Sequence, residues 1–325
     1  MTVTSGTPVV QGGATSPSLR RRLNAYFRMG RTIRWENWLG TLIWWTLVDG
    51  DRAFEPRTFA LLAVTLLAYV AMVATAGTMD DVTGYRDGTD WINYKNSDPT
   101  GLRPMTRKPL LLGWCTEGQA VAYARFAAVV CLTAVVVSFV MAGGEPVWYL
   151  PLYLLVMVIG FQYSAGLKLS YLGAQELVLY LVKFSSVFFP FALVTGDTAS
   201  VVTVEALLFA TWFVQVSIMS NSHDVEGDRQ ANRRTMAVLL SEEGHHRFIV
   251  AVFCTGWLIA LAGLVTGALS PWFCLTLVPV VALQARQLRL SVGEHRYLEA
   301  RRIGFRVLRT GVPILALINL GLNWR

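Results

Sequence analysis

The sequence predicts an all-α integral membrane protein, with about nine transmembrane helices around a central apolar cavity and a polar cap on the cytoplasmic side. Three observations predict it. Of the 325 residues, 54% are hydrophobic and only 15% charged, against about 25% charged in ordinary soluble domains. The apolar residues form blocks long enough to cross about 30 Å of hydrocarbon, which takes roughly 20 helical residues. Basic residues gather in alternate connections between those blocks, as they do in chains oriented across a bilayer.

In chain order the blocks are Trp35–Val48, Thr58–Thr78, Gln119–Met141, Val147–Gln162, Leu177–Thr195, Val204–Met219, Phe248–Thr266, Pro271–Ala285 and Val307–Leu322. The first and eighth are short. Nine such blocks in succession would leave a soluble fold almost no polar surface. Ahead of them, residues 1–17 are rich in Ser, Thr and Gly and read as a disordered N-terminal tail without a signal-peptide core. Residues 18–325 read as one transmembrane domain. Cys115, Cys131, Cys254 and Cys274 form no C-x-x-C pair and are expected to pack in the core.

Charge placement orients the chain. The N-terminal segment carries Arg20, Arg21, Arg22, Arg28, Arg31 and Arg34, and the connection after the second block carries Arg86, Lys95, Arg103, Arg107 and Lys108. Arg229, Arg233, Arg234 and Arg247 follow the sixth block, and Arg286, Arg289, Arg296, Arg301, Arg302 and Arg306 follow the eighth. The alternate connections near Gly143, Gly196 and Gly267 have neither Lys nor Arg; Arg52 and Arg57 go against the pattern. The N-terminus and the long basic loops are therefore expected on the cytoplasmic side of the cell (inner) membrane. The formal charge of +7 is an orientation signal and not a nucleic-acid footprint.

Two connections on that side are also rich in acids. One reads Asp80-Asp81-Val82-Thr83-Gly84-Tyr85-Arg86-Asp87-Gly88-Thr89-Asp90, the other Asn221-Ser222-His223-Asp224-Val225-Glu226-Gly227-Asp228-Arg229. If the sixth helix continues through the second run, Asn221, Asp224 and Asp228 share one face, and in the first run Asp80 and Asp87 do likewise. Clustered carboxylates repel one another unless a cation lies between them, and oxygen-only ligands favour a hard ion such as Mg²⁺ bound together with substrate phosphates. A diphosphate also needs cationic donors. Arg229, Arg233 and Arg234 follow the second run, and Lys108 and Lys168 lie in other cytoplasmic connections. Solvated loop acids paired with adjacent arginines would be the plain alternative for one cluster, and two clusters on one side argue against it. A transporter would place its acids mid-span. Here the block interiors are almost free of Asp and Glu, with Glu176 and Glu205 near predicted ends.

These residues resemble the UbiA-type intramembrane prenyltransferase superfamily over essentially the whole chain. The family pattern is N-D-x-x-D-x-x-x-D after the second helix and D-x-x-x-D after the sixth. The second pattern is intact as Asp224-Val225-Glu226-Gly227-Asp228, with Asn221 ahead and Arg233-Arg234-Thr235 behind. That run, with Gly88-Thr89-Asp90, resembles the branch that prenylates naphthoate in menaquinone synthesis. Lys108-Pro109-Leu110-Leu111-Leu112-Gly113 is similar to the family's R-P-L-x-x-G, Tyr163 to Lys168 to its Y-x-x-x-x-K, and Tyr171 to Glu176 to the branch's Y-x-G-L-G-E. The first motif departs: Asp80 stands for Asn, Gly84 for the next Asp, and Gly88 for the last acid, with Asp87 one place earlier.

The resemblance implies Mg²⁺ held by Asp80, Asp81, Asp87, Asp224 and Asp228, which also serve as the catalytic set. It implies an isoprenyl diphosphate bound by Lys108, Lys168, Arg229, Arg233, Arg234, Tyr163 and Asn221. The prenyl tail is expected in an apolar channel, its allylic cation shielded by some of the 11 Trp, 11 Tyr and 16 Phe. The cation would pass to an acceptor the sequence does not identify. In relatives that are terpene cyclases, the substrate's own double bond captures it instead. Asp80 is expected to supply the charge missing at Gly84.

Overall fold

The computed structural model describes residues 17–95 and 101–323, so the expected tail up to residue 16 lies outside the described residues. In order the helices are α1 (Leu19–Met29), α2 (Leu39–Leu47), α3 (Gly50–Ala53), α4 (Pro56–Arg86), α5 (Thr89–Lys95), α6 (Glu117–Met141), α7 (Tyr149–Phe161), α8 (Gln175–Thr195), α9 (Ser200–His223), α10 (Val225–Gln230), α11 (Met236–Leu239), α12 (Glu242–Val265), α13 (Phe273–Leu288) and α14 (Tyr297–Asn323). Among the described residues there is no strand.

Local chemistry sets several ends. Pro56 opens α4, where its missing N–H is no loss. Thr116 and Gln119 cap α6 reciprocally, each side chain bonding the other's backbone N–H. Gly196, at φ 74°, stops α8.

Among the described residues, six helices are long and apolar enough to cross a membrane: α4, α6, α8, α9, α12 and α14. The other three expected spans form shorter helices of 9 (α2), 13 (α7) and 16 (α13) residues. These rise roughly 14, 20 and 24 Å, less than the hydrocarbon thickness. The first expected span begins as a 3₁₀ turn at Trp35–Trp38, and it ends early because Asp49 caps a new turn by accepting from Asp51 N. The eighth runs out of α-helix into a π-turn, Arg289–Gly293.

Helix α9 is the axis. Of its apolar window 72% is buried inside the protein, against 28% for α12 at the rim. Phe209, Trp212 and Phe213 of α9 share a core with Ile43 and Trp44 of α2 and with Val307, Leu308 and Val312 of α14. A second core joins Tyr69 and Met72 of α4 to Tyr149, Tyr153 and Met157 of α7 and Phe189 of α8. Outward, Leu258, Leu261 and Val265 of α12 and Phe126, Val129 and Val140 of α6 are exposed. An apolar surface this wide is one that lipid covers. The chain is a multi-pass membrane protein. Cys115 and Cys131 are buried as expected, but Cys274 lies exposed.

The bundle is tight where α14 crosses α9. A Cβ on Gly311 would lie 2.8 Å from the Trp212 ring and 3.1 Å from Val280. Gly311→Val is therefore expected to cost roughly 1–3 kcal/mol through overpacking, read as a lower melting temperature in detergent. Gly118→Val, whose Cβ would meet nothing within 4 Å, should leave it unchanged.

Candidate active site

The C-terminal ends of α4 and α9 bring both acidic runs to one end of a single cavity of about 270 Å³. Three carboxylates line it, Asp80, Asp90 and Asp224, among the described residues. Eight basic side chains line it too: Arg31, Arg34, Arg103, Arg107, Lys108, Lys183, Arg233 and Arg301. Beyond the charged layer the walls are apolar, with Met72, Val73, Ala76, Val178, Leu179 and Val182 among them.

The first run divides its work. Asp80 faces the cavity, accepts from Ser164 Oγ at 2.9 Å and lies 3.5 Å from both Arg31 and Arg233. Asp81, 1% exposed, sits behind it, 2.7 Å from Arg31 Nη2 and 2.7 Å from Lys108 Nζ. Its Oδ2 is buried with no hydrogen-bond partner. Asp87 does not reach the cavity. It is exposed at the C-cap of α4, where it accepts from Thr89 N at 3.0 Å, Thr89 Oγ1 at 2.6 Å and the Tyr171 hydroxyl. Gly88, at φ 80°, turns the chain back, and α5 then lays the Asp90 carboxylate on Gly84. A Cβ on Gly84 would lie 2.6 Å from Asp90 Cγ. The Asp90 carboxylate thus fills the room a side chain at 84 would need. Its Oδ1 pairs with Lys108 Nζ at 2.6 Å.

In the second run α9 ends at His223, Asp224 breaks the helix at φ −94° and ψ 6°, and α10 resumes. Asp224 faces the cavity and is clasped by Arg103, one contact being Nη2 to Oδ2 at 2.6 Å, while Arg103 stacks 4.3 Å above the Tyr94 ring. Asp228 does not share that exposure. At 2% it lies behind, with Thr235 Oγ1 at 3.4 Å. Burial pushes its carboxyl up to about 7, Asp224 and Asp80 adding to the rise and Arg233 opposing it. Asn221 lines the cavity, accepts from Gln175 Nε2 at 2.7 Å and donates to Glu176 at 2.8 Å. Gln175 in turn accepts from Arg233 Nη2 at 3.2 Å.

Of the expected diphosphate ligands, Lys108, Arg233, Tyr163 and Asn221 line the cavity. Lys168, Arg229 and Arg234 are exposed and outside its lining. Lys168 lies 5.3 Å over the Tyr171 ring, and Arg229 is 3.5 Å from Glu226. Arg233 and Arg234 are adjacent in the irregular stretch after α10, where Arg233 lines the cavity and Arg234 is exposed. The cavity's remaining arginines enter the sequence argument only as orientation signals, and no local pattern marks them. Arg31 lies 50 positions from Asp81, and Arg103 lies 121 from Asp224. For Asp90 a signal existed in the Gly88-Thr89-Asp90 run.

Positive charge is crowded here. Burial lowers Arg34 to about 9, with Arg107 and Arg31 adding to the drop. Burial would also lower Lys108, but Asp81 and Asp90 outweigh it and hold its pKa up. One ammonium shared by two carboxylates leaves Asp90 undercompensated, so burial and the nearby Asp81 push Asp90 upward. An incoming polyanion would relieve the crowded arginines, and a cation the crowded carboxylates.

The chain matches the UbiA prenyltransferase family over residues 38–307. A 1,4-dihydroxy-2-naphthoate octaprenyltransferase of Bacillus subtilis (strain 168) is 27% identical over 136 residues, which are 41% of this chain and 44% of that protein. The match thus spans less than half of that relative. A digeranylgeranylglyceryl phosphate synthase structure superposes with a TM-score of 0.64 at 12% identity, covering 93% of this chain and 99% of the other. A UbiA homolog from Archaeoglobus fulgidus bound to DMAPP and Mg²⁺ gives 0.57 at 12% identity, covering 90% and 99%. At such identities the likeness is one of fold.

The contact between Gly84 and Asp90 has a direct test. Gly84→Asp is expected to lower the melting temperature, and Asp90→Gly added to it should restore part of the loss. The coupling in a double-mutant cycle should be about 0.5–3 kcal/mol. Asp80→Asn added to Gly84→Asp should restore nothing.

Proposed function

The chain belongs to the UbiA prenyltransferase family, and on that premise we propose that it ionises an isoprenyl diphosphate and transfers the prenyl group to an acceptor. The observation that carries this reading is one cavity with carboxylates and cations at one end and apolar walls beyond them. That division matches a molecule with an anionic head and a hydrocarbon tail.

Mg²⁺ fits the donor set. The carboxylates at the charged end offer oxygen ligands alone, and Asp81 Oδ2 is a buried oxygen without a partner. Asp80, Asp90 and Asp224 would hold the metal, with Asp81 and Asp228 adding negative charge from behind. When bound, it draws charge from the diphosphate and makes it a better leaving group. Lys108, Arg103 and Arg233 donate charge-assisted hydrogen bonds to phosphate oxygens, and Arg31 and Arg34 add to the positive field. The apolar walls exclude water, so the cation left when the C1–O bond breaks survives until it is captured. The acceptor supplies the electron pair for the new bond and releases a proton.

Topology is part of the proposal: nine crossings, with the N-terminus and the charged end of the cavity on the cytoplasmic side of the inner membrane. Cysteines introduced as Asp87→Cys and Glu226→Cys are expected to react with an impermeant reagent from the cytoplasmic face, and those from Gly143→Cys and Gly196→Cys from the other. Opposite faces for positions 87 and 226 would break the single-site reading.

Activity is tested with membranes containing the protein, Mg²⁺ and geranyl, farnesyl or geranylgeranyl diphosphate, with and without aromatic acceptors. Diphosphate release that requires an acceptor is the expected result. A ring-closed hydrocarbon or terpene alcohol formed without acceptor would replace transfer by intramolecular cyclisation after the same ionisation. Asp224→Ala should lower turnover at least about 100-fold while the protein stays folded, whereas Lys168→Ala and Arg229→Ala should stay within about twofold, as exposed charges do.

A further inference from the structure

Lys183, on α8, lies at the end of the cavity opposite the aspartates and is 3% exposed. The reaction above gives it no task. Its Nζ lies 2.8 Å from Asn37 Oδ1, 2.6 Å from the Tyr69 hydroxyl and 3.8 Å above the centre of the Phe213 ring. An ionisable side chain at membrane depth, with its partners in place, calls for a functional reason.

The depth of Lys183 is the same on three walls. On α4 the step from Asp80 to Met72, on α8 from Gln175 to Lys183, and on α9 from Asn221 to Phe213 is in each case eight residues. At ~1.5 Å per residue, each step descends about 12 Å from the charged layer. Below that level the helices touch. A Cβ on Gly40, three residues past Asn37, would lie 3.0 Å from both the Phe209 ring and Ser186 Oγ and 3.1 Å from Val187. That contact joins α2, α8 and α9. Toward α7, a Cβ on Gly160 would lie 3.0 Å from Met72 Sδ and 3.2 Å from Val182.

From this geometry we infer that Lys183 is the specificity-determining floor of the prenyl chamber and limits the donor to two or three isoprene units. An extended isoprene repeat spans four carbon–carbon bonds, roughly 5 Å, so about 12 Å holds two units extended and a third only if the chain folds. A floor of Leu or Val could yield to a longer tail by changing rotamer. To pass Lys183, a tail must strip its amino group of Asn37 and Tyr69, and hydrocarbon cannot replace those hydrogen bonds. The polar floor therefore rejects hydrocarbon in a way an apolar one would not.

The inference rests on the prenyl-diphosphate reading, and the experiment separates the two. Diphosphate release by the full-length protein in membranes is measured with Mg²⁺, the same aromatic acceptors and geranyl, farnesyl or geranylgeranyl diphosphate in turn. The wild type is expected to favour geranyl or farnesyl over geranylgeranyl diphosphate by at least about tenfold in kcat/KM. Lys183→Ala, which deepens the chamber, should shrink that ratio about tenfold, mainly through a lower KM for the long substrate. Lys183→Met, which keeps the volume but not the hydrogen bonds, should shift it the same way by less. Equal use of all three lengths by the wild type overturns the inference and leaves the proposed function standing; so does an unchanged ratio in Lys183→Ala. Turnover of none of the three overturns both. Should Lys183→Ala fail to fold, the wild-type series and Lys183→Met decide.

Discussion

One buried lysine organises the charged end of this protein. Lys108 Nζ lies 2.7 Å from Asp81 on α4 and 2.6 Å from Asp90 on α5, so a single ammonium ties α4, α5 and the connection leading to α6. A buried charge survives only where its partners recover the hydration it has lost, and Lys108 has two carboxylates for that purpose. Asp81 is shared in turn with Arg31, which draws the segment after α1 over the end of α4. Without this arrangement, Asp90 would lose its ion pair at the wall where Ser164 and Arg233 also hold Asp80.

The same physics shapes the opposite half. Lipid outside the bundle is as apolar as the side chains inside, so helix association depends on close packing and on the few polar contacts that find partners. The approaches at Gly40, Gly160 and Gly311 and the hydrogen bonds of Lys183 are of this kind. They leave an apolar-walled cavity continuous with the charged layer. A molecule with a charged head and a hydrocarbon tail can occupy both regions at once.

The altered first motif becomes intelligible in three dimensions. Gly84 is no simple loss of an acid. Gly88 reverses the chain, Asp87 caps the helix that follows, and Asp90 returns to the space left by the missing side chain. A carboxylate six residues further along the chain thus lies against Gly84. Asp87, which helical periodicity places on the face of Asp80, serves the turn instead because α4 ends there.

The sequence by itself determined that the chain lives in a bilayer, because hydropathy and Lys/Arg asymmetry are sums over long stretches that tertiary detail barely changes. It also singled out two acidic runs, since carboxylates are expensive next to membrane spans, and residues of both line one cavity. Family membership was legible from motifs in their order. What it could not show was which side chains turn inward. Arg233 against Arg234, Asp90 against Asp87 and Lys108 against Lys168 are decided by helix ends, one left-handed glycine and contacts between segments tens of positions apart. The depth of the chamber was equally out of reach. It depends on Lys183, Asn37, Phe213 and Met72 meeting at one level from separate segments of the chain, and no local pattern records that they do.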